Sequence, residues 1–506
     1  MFRPVDYLLD RITMYRLVLY FLIVLVGASA GLSALGYMQY NALAIIASAV
    51  YLAAVCWLSN QLFARVFETP ANVESSHITA LILALIITPL ANTHNLLFLT
   101  AAGGLAMASK YILAIRKKHI FNPAAIAVVL TSFGAHQAAS WWVGTKPMVP
   151  FLLIGGFLVV RKIQRTDMVV SFFASALFFV GLLAFLNHGD VSTSLQKTVL
   201  SSSLLFLGFI MLTEPLTSPP TRDKRIFYGI ITGLLFLPQL HVGGIYSTPE
   251  LALVIGNLYA YFASPKFKVI PQLLRKNAIG PDVGDFVFAT SRKINYKPGQ
   301  YMEWTLGHEG TDSRGNRRYF TLASSPTEDT LRLGVKFYPG GSSFKDAMKR
   351  MDNRTFVSAG SLSGDFTLPD DTSEKLAFIA GGIGITPYRS MVKYLLDMNE
   401  PRDVTLLYSE RKPESVAYRD VFDTAVRELG MKVVYTLTER GSVPASWTGQ
   451  RGFVTADMIS QQIPDYMERT FYVSGPHAMV TGTRDNLRKL GVARHRIKTD
   501  FFPGYA

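Results

Sequence analysis

The apolar residues of this chain are crowded into its first half, in segments at about residues 16–36, 42–58, 77–90, 96–115, 120–133, 149–160, 168–187, 199–213, 225–240 and 248–263. A helix needs about 20 apolar residues to cross hydrocarbon, and several of these segments are shorter. The short ones carry a proline at an end: Pro89, Pro123, Pro215 and Pro249. Interrupted helices are tolerated at membrane depth only where their loosened backbone faces protein or a cavity. The pattern predicts an α-helical polytopic membrane domain over residues 1–263, with broken helices held inside it.

The same prolines expose an internal repeat. Pro89 and Pro215, Pro123 and Pro249, and the pairs Ser75-Ser76 and Ser201-Ser202 are each 126 residues apart. Five segments per copy make ten in all, and an odd number per copy turns the second upside down, a 5+5 inverted repeat that places a binding site between broken helices. With Met1 inside, the inner loops hold Arg65, Arg116, Lys117, Lys118, Arg161, Lys162, Arg165, Arg222, Lys224 and Arg225, and the outer loops only Lys146 and Lys197. The positive-inside rule then puts both termini in the cytoplasm. No small-residue cleavage site closes the first apolar run, so a retained anchor is expected in place of a signal peptide.

Charged residues concentrate after residue 265. This shift predicts a basic linker at 264–279, then a soluble half. The formal net charge of +14 comes with no basic stripe interleaved with aromatics, which argues against nucleic acid and for membrane orientation. Cys56 is the single cysteine; an iron–sulfur cluster takes four and a disulfide two, so neither is expected within this chain.

In the soluble half, Arg318-Tyr319-Phe320-Thr321-Leu322-Ala323-Ser324-Ser325-Pro326 lies among short alternating runs of β type. An arginine fork suits a cofactor phosphate, an aromatic ring can lie on an isoalloxazine, and a hydroxyl can bond a ring atom. By itself the stretch reads better as an ordinary strand of a small barrel with an exposed Arg. Downstream, Ala380-Gly381-Gly382-Ile383-Gly384-Ile385-Thr386-Pro387 follows the apolar run 376–379 and opens an amphipathic helix, and Tyr472-Val473-Ser474-Gly475-Pro476 follows another such run. A strand, a glycine turn and a helix N-terminus form an anion-binding geometry.

In their order and spacing these motifs resemble the ferredoxin-NADP reductase superfamily over about residues 280–506. The resemblance implies a flavin-binding antiparallel β-barrel at 280–371 and a doubly wound α/β nucleotide domain at 372–506. It implies FAD phosphates on Arg318 and at Gly341, Ser342 and Ser343, Phe320 stacked on the flavin ring, and Thr321 bonded to it. Gly382, Gly384, Thr386 and Pro387, with Gly475 and Pro476, would hold the pyrophosphate of NAD(P)H. Ser474 stands where the family commonly has Cys near the nicotinamide; it and Phe320 are the candidate catalytic positions. Ser409 and Arg411 could accept a 2′-phosphate and Glu410 argues against one, so the choice stays at NAD(P)H. Phe502 and Tyr505 in the tail either cover the nicotinamide face of the flavin or pack the C-terminus.

Two membrane stretches, Phe121-Asn122-Pro123-Ala124-Ala125 and Thr213-Glu214-Pro215-Leu216-Thr217-Ser218-Pro219, are similar to signature regions of the NqrB/RnfD family, membrane proteins of the sodium-pumping NADH:quinone reductase and of the Rnf complex. That family implies a bacterial-type inner membrane and FMN or riboflavin within the membrane part, often attached to a Thr in a Ser-Gly-Ala-Thr motif. Here the position reads Asp190-Val191-Ser192-Thr193-Ser194 without the Gly-Ala. A hydrophilic outer loop and a noncovalent membrane flavin are therefore expected. His77, His94, His119, His136, His188 and His241 lie mostly at segment ends, with no two pairs facing across a helix couple, so haem is not expected.

The expected whole is an integral membrane flavoenzyme. Cytoplasmic NAD(P)H would reduce FAD, and electrons would pass through the membrane domain to quinone or to an extracytoplasmic acceptor such as a flavoprotein. The alternative from another class is a membrane transporter, in an ion-coupled form as well, with an attached regulatory reductase domain.

Overall fold

The structure, a computed structural model, describes residues 5, 9, 12–67, 73–90, 93–115, 118–264, 268–312, 315–355, 357–439, 443–444 and 446–500. Phe502 and Tyr505 lie outside the described residues, as do Arg116 and Lys117. The chain divides into two compact units, Met1–Lys266 and Phe267–Ala506.

Unit 1 is helical: α1 Met14–Ala34, α2 Ala42–Val66, α3 Val73–Ile86, α4 Thr93–Ile112, α5 Pro123–Ala135, α6 Val149–Ile163, α7 Thr166–Leu186, α8 Val191–Leu200, α9 Leu204–Met211, α10 Arg222–Leu235 and α11 Pro249–Ala263. Two short hairpins interrupt it, β1 Ala114–Ile115 with β2 Lys118–His119, and β3 His241–Val242 with β4 Ile245–Tyr246. By length and apolarity α1, α2 and α7 can each cross a membrane; α8 and α9, bent by 57°, make a fourth span if taken as one. Of the remaining expected segments, α3 and α5 are shorter apolar helices, while α4 runs for 20 residues without being one of the three spans. Capping explains where the broken helices begin. Asn122 Oδ1 accepts from Ala125 N at 3.1 Å with Pro123 in the first turn, and Thr248 caps α11 ahead of Pro249; proline suits that turn because its missing N–H would be unpaired there anyway. Gly229 and Gly233, four apart on α10, admit α7 so closely that a Cβ on Gly229 would stand 2.5 Å from Met168 O, the small-residue packing common between membrane helices. Inside lie Leu25, Leu52, Leu83, Leu99 and Phe206, while Leu43, Val50, Leu62 and Phe185 are exposed, the reverse of a water-facing surface. Thr193, expected in a loop, is in the first turn of α8, where Asp190 caps its amide at 3.2 Å.

Unit 2 begins with strands. β5 Lys268–Val269 and β6 Gln272–Gly280 occupy the expected linker, and β7 Val283–Ala289, β8 Tyr301–Leu306, β9 Arg317–Thr321, β10 Thr330–Lys336 and β11 Val357–Ser363 follow, with α12 Ser343–Arg350 between the last two. The linker reading fails because β6 is a basic edge strand paired with β7, and charge on an edge strand serves to block unwanted pairing. Where a closed barrel is expected, the described residues form two separate antiparallel sheets, β10-β7-β6 and β5-β11-β8-β9, around Phe288, Met302, Trp304, Leu333 and Phe344. The rest alternates strand and helix: β12 Leu376–Gly381, α13 Thr386–Asp397, β13 Val404–Glu410, α14 Arg419–Leu429, β14 Lys432–Leu437, β15 Gln450–Arg451, α15 Ala456–Gln462, β16 Thr470–Ser474, α16 His477–Lys489 and β17 Ile497–Asp500. These strands form one parallel sheet ordered β15-β14-β13-β12-β16-β17. The chain winds outward from β12 to β15, then returns to lay β16 on the other side of β12. The switch point therefore falls between β12 and β16, and ligands of such sheets bind beyond the carboxyl ends of the strands there.

Candidate functional site

The carboxyl ends of β12 and β16 carry the two glycine motifs and bring them together. Gly384 lies so close to the next strand's exit that a Cβ on it would stand 2.6 Å from the Cα of Gly475. A Cβ on Gly381 would likewise meet Met479 Sδ, and Gly382 has φ +57°, a left-handed conformation that costs glycine nothing. Residues 382–385 form one 3-10 turn leading directly into α13, with Thr386 and Pro387 in its first turn. Backbone N–H groups and the helix dipole thus converge at the switch point, as an anion requires. Ser474 ends β16, buried and in register with Ala380 on one side and Asp500 on the other. Burial pushes the Asp500 carboxyl up to about 7.

On the far side of β12, Ser409 is in register with Gly381, and Arg411 is exposed. Glu410 between them is buried, with Arg411 N 3.2 Å from its Oε2 and the Lys336 ammonium at 3.7 Å. Burial raises the Glu410 carboxyl above the usual range, and Lys336 opposes that shift. Both groups border the glycine turn: a Cβ on Gly382 would lie 3.8 Å from Glu410 Oε1 and 3.9 Å from Lys336 Nζ. Lys336 was not legible in the sequence, where it is one lysine in an alternating strand.

The flavin motif forms a second cluster around Phe344 in α12. The Arg318 guanidinium lies 5.2 Å from the Phe344 ring centre and the Phe320 ring 6.0 Å from it. Arg318 Nη1 donates to Gly315 O at 3.1 Å and Arg317 O at 2.6 Å, and Thr321 is buried at the end of β9. At the start of α12, after Gly340 and Gly341, Ser342 caps by accepting from Lys345 N at 3.3 Å, and Ser343 N donates to the Asp312 carboxylate at 2.9 Å. This helix N-terminus thus holds a carboxylate of the chain itself, a negatively charged group with oxygen acceptors, as a phosphate is. Arg318 and Phe320 are thus gathered with Ser342 and Ser343 around Phe344, a set whose donors and ring are of the kinds FAD phosphates and an isoalloxazine take. Phe lacks the phenol hydroxyl of Tyr and keeps the stacking face.

In unit 1 the two signature stretches meet. Glu214 Oε2 accepts from Asn122 Nδ2 at 2.9 Å and from Thr217 Oγ1 at 3.0 Å, while Oε1 is 3.3 Å from His119 Nε2. Asn257 on α11 completes the cluster, accepting from Asn122 N at 2.8 Å and donating to Tyr228 OH at 2.9 Å. His119 is thus a partner of the carboxylate, a role its place at a segment end did not reveal. Among the described residues no group of three His, Cys, Asp or Glu side chains is arranged to hold a metal ion.

Residues 378–485 match the oxidoreductase NAD-binding domain family, and residues 136–264 match the NQR2, RnfD, RnfE family. The two halves of the chain match two families. Among curated proteins, the glycine betaine monooxygenase reductase subunit of Pseudomonas aeruginosa is 25% identical over 224 residues, 44% of this chain and 60% of that one. The stachydrine N-demethylase reductase subunit of Rhizobium meliloti is 28% identical over 233 residues, 45% and 65% respectively. NADH-cytochrome b5 reductase 1 of Aspergillus oryzae is 28% identical over 238 residues, 44% and 79%. The chain spans about three fifths of the length of the first of these. The motifs of Gly384 and Ser474 fall within the first of the two family matches and Glu214 within the second, while Arg318 and Asn122 lie outside the matched residues.

Proposed function

We propose that the chain is a flavin-dependent NAD(P)H oxidoreductase of the membrane, carrying electrons from a cytoplasmic nucleotide into its helical unit. The observation that carries this reading is the convergence of the Gly382–Ile385 turn and Ser474–Pro476 at one switch point, in a unit that also holds an arginine-and-aromatic cluster. The nucleotide pyrophosphate would rest on Gly382, Gly384, Thr386 and Gly475, and Ser409 and Arg411 would border its ribose. Arg318, Ser342 and Ser343 would hold the phosphates of FAD, and Phe320 and Thr321 its ring. FAD, when bound, accepts a hydride and releases electrons singly. Ser474 lines the place where nicotinamide would lie.

Within the membrane unit, a noncovalent FMN or riboflavin is the proposed carrier, and quinone or an extracytoplasmic acceptor the destination. A 5+5 inverted repeat would give it a seat between the two copies. α5 and α11 begin 126 residues apart and pack on each other, and the equivalent pair α1 and α6 also packs together. Each copy also carries a hairpin just before its last helix. Contact between such pairs is in keeping with a pseudo-twofold axis running between them. Loop charge supports cytoplasmic termini. The test is colour: the full chain, purified in detergent, should carry extractable flavin that bleaches on adding NADH or NADPH. A colourless protein would favour the transporter alternative, and haem bands would remove the flavin relay.

A further inference from the structure

Arg389 is the fourth residue of α13, two positions beyond Pro387, 2% exposed and outside both the glycine turn and the flavin motif. Its Nη1 donates to Ala323 O at 2.9 Å, and its fork closes on Glu328, with Nη2 to Oε1 at 2.9 Å and Nη1 to Oε2 shorter still. Glu328 Oε2 also accepts from Ser325 N at 2.7 Å. The neighbouring Ser390 donates from Oγ to Ser324 O at 2.6 Å. Every one of Ala323, Ser324 and Ser325 is thus bound, directly or through Glu328, to one turn of α13. Those residues are the continuation of β9 immediately beyond Phe320 and Thr321.

The surroundings make this a rigid joint. Arg332 donates from Nε to Asp285 Oδ1 at 3.4 Å and ion-pairs with both Asp285 and Glu328. Tyr418 OH donates to Asp285 Oδ1 at 3.0 Å, and its ring lies 5.6 Å from the Arg389 guanidinium. A buried ion pair adds little net stability over well-packed apolar side chains, but it specifies one register of the parts it joins. An arginine fork does so in two directions at once, which lysine cannot.

We propose that Arg389 is a positioning residue, fixing the strand that carries Phe320 and Thr321 against the helix whose first turn receives the nucleotide. This rests on the function proposed above. Hydride transfer needs its two partners within a few tenths of an ångström of the productive distance, and a misplacement of about 1 Å can lower the rate roughly a hundredfold. The Arg389 side chain bonds Ala323 O and Glu328 and none of the groups assigned to either ligand, so its effect is expected on geometry and not on affinity.

The experiment uses the full chain in detergent, with Arg389→Lys, Glu328→Gln and the milder Ser390→Ala. Three quantities are read: FAD retained after gel filtration, NAD+ affinity by quenching of flavin fluorescence, and the limiting rate of flavin bleaching at saturating NADH. Arg389→Lys and Glu328→Gln should keep FAD and NAD+ affinity within about twofold while the limiting rate falls tenfold or more, with Ser390→Ala between them and the parent. Unchanged limiting rates, or rates that fall only in step with lost FAD, would overturn the positioning role. If Arg389→Lys does not fold, Glu328→Gln and Ser390→Ala decide by the same readings. A parent chain that no nicotinamide nucleotide bleaches would instead remove the proposed function, and this inference with it.

Discussion

Gly384 and Gly475 abut across the switch point of the parallel sheet, with room for no side chain between them: a Cβ on Gly384 would lie 2.6 Å from Gly475 Cα and from Ser474 C. Gly384→Val must therefore do more than fill a pocket; it must push the turn after β12 away from the end of β16. Bleaching by NADH or NADPH should fall at least tenfold while FAD stays bound to its separate cradle around Phe344. Stopped-flow reduction combined with a flavin-to-protein ratio checks both halves of this expectation. Normal bleaching at low nucleotide concentration would place the nucleotide elsewhere.

Arg318→Ala should release FAD. The guanidinium is nearly buried, stacked on Phe344 and bonded to Gly315 O and Arg317 O, so its direction is fixed before any ligand arrives. A charge-assisted hydrogen bond is worth about 1.5–3 kcal/mol, or roughly ten- to hundredfold in affinity. Arg318→Lys keeps the charge without the fork and should fall between. Equal flavin occupancy in all three proteins would refute the assignment.

Asp500 gives the nucleotide domain a pH dependence with a definite sign. Its carboxyl is held at about 7 by burial, against about 3.9 for an exposed aspartate. Between these values the folded state keeps a proton that the unfolded state has released, so stability falls as pH rises from about 4 through 7. Asp500→Asn removes the titration. The variant should melt near the parent at about pH 4 and increasingly above it by about pH 8, followed by circular dichroism of the full chain in detergent. Parallel melting curves at both pH values would show that Asp500 is solvated.

The parts of this molecule that the sequence revealed are those whose meaning is local. Gly382 to Pro387 announces a strand, a turn and a helix because each residue acts on its neighbours, and Pro123 and Pro249 mark helix starts for the same reason. Contacts between distant residues left no such mark. Arg389 with Ala323, Tyr418 with Asp285, and Glu214 with Asn122 and Asn257 are single residues in unremarkable surroundings until the fold joins them. Gln272–Gly280 misled in the opposite way: its exposed and half-exposed charged and polar residues read as a linker, while its ladder to β7 is invisible without the partner. Thr193 read as loop because Ser and Thr are frequent there, although Asp190 just before it is a helix cap.

The membrane unit is tested by separating the two units at Lys266 and Phe267, the division seen in the structure, and not at Gly280, which would strip β5 and β6 from their sheets. Unit 2 by itself should reduce a soluble dye with NADH yet deliver nothing across a bilayer. The full chain in sealed vesicles, with nucleotide added outside to the exposed reductase, should reduce an acceptor trapped within. Hydrocarbon about 30 Å thick stands between the two compartments, and a bound carrier inside the bilayer is needed to bridge it. The broken helices beginning at Pro123 and Pro249 are the proposed seat, since their first turns offer backbone groups to a ligand in place of lipid. Glu214→Gln tests that seat independently. It keeps the shape of the side chain, but an amide cannot accept from Asn122, Thr217 and His119 together as the carboxylate does, so transfer to the trapped acceptor should fall severalfold while dye reduction outside is untouched. If the full chain reduces membrane quinone and leaves the trapped acceptor oxidised, the enzyme is a quinone reductase with its exit within the bilayer. If neither is reduced while the dye is, the helical unit conducts no electrons, and the transporter alternative takes its place.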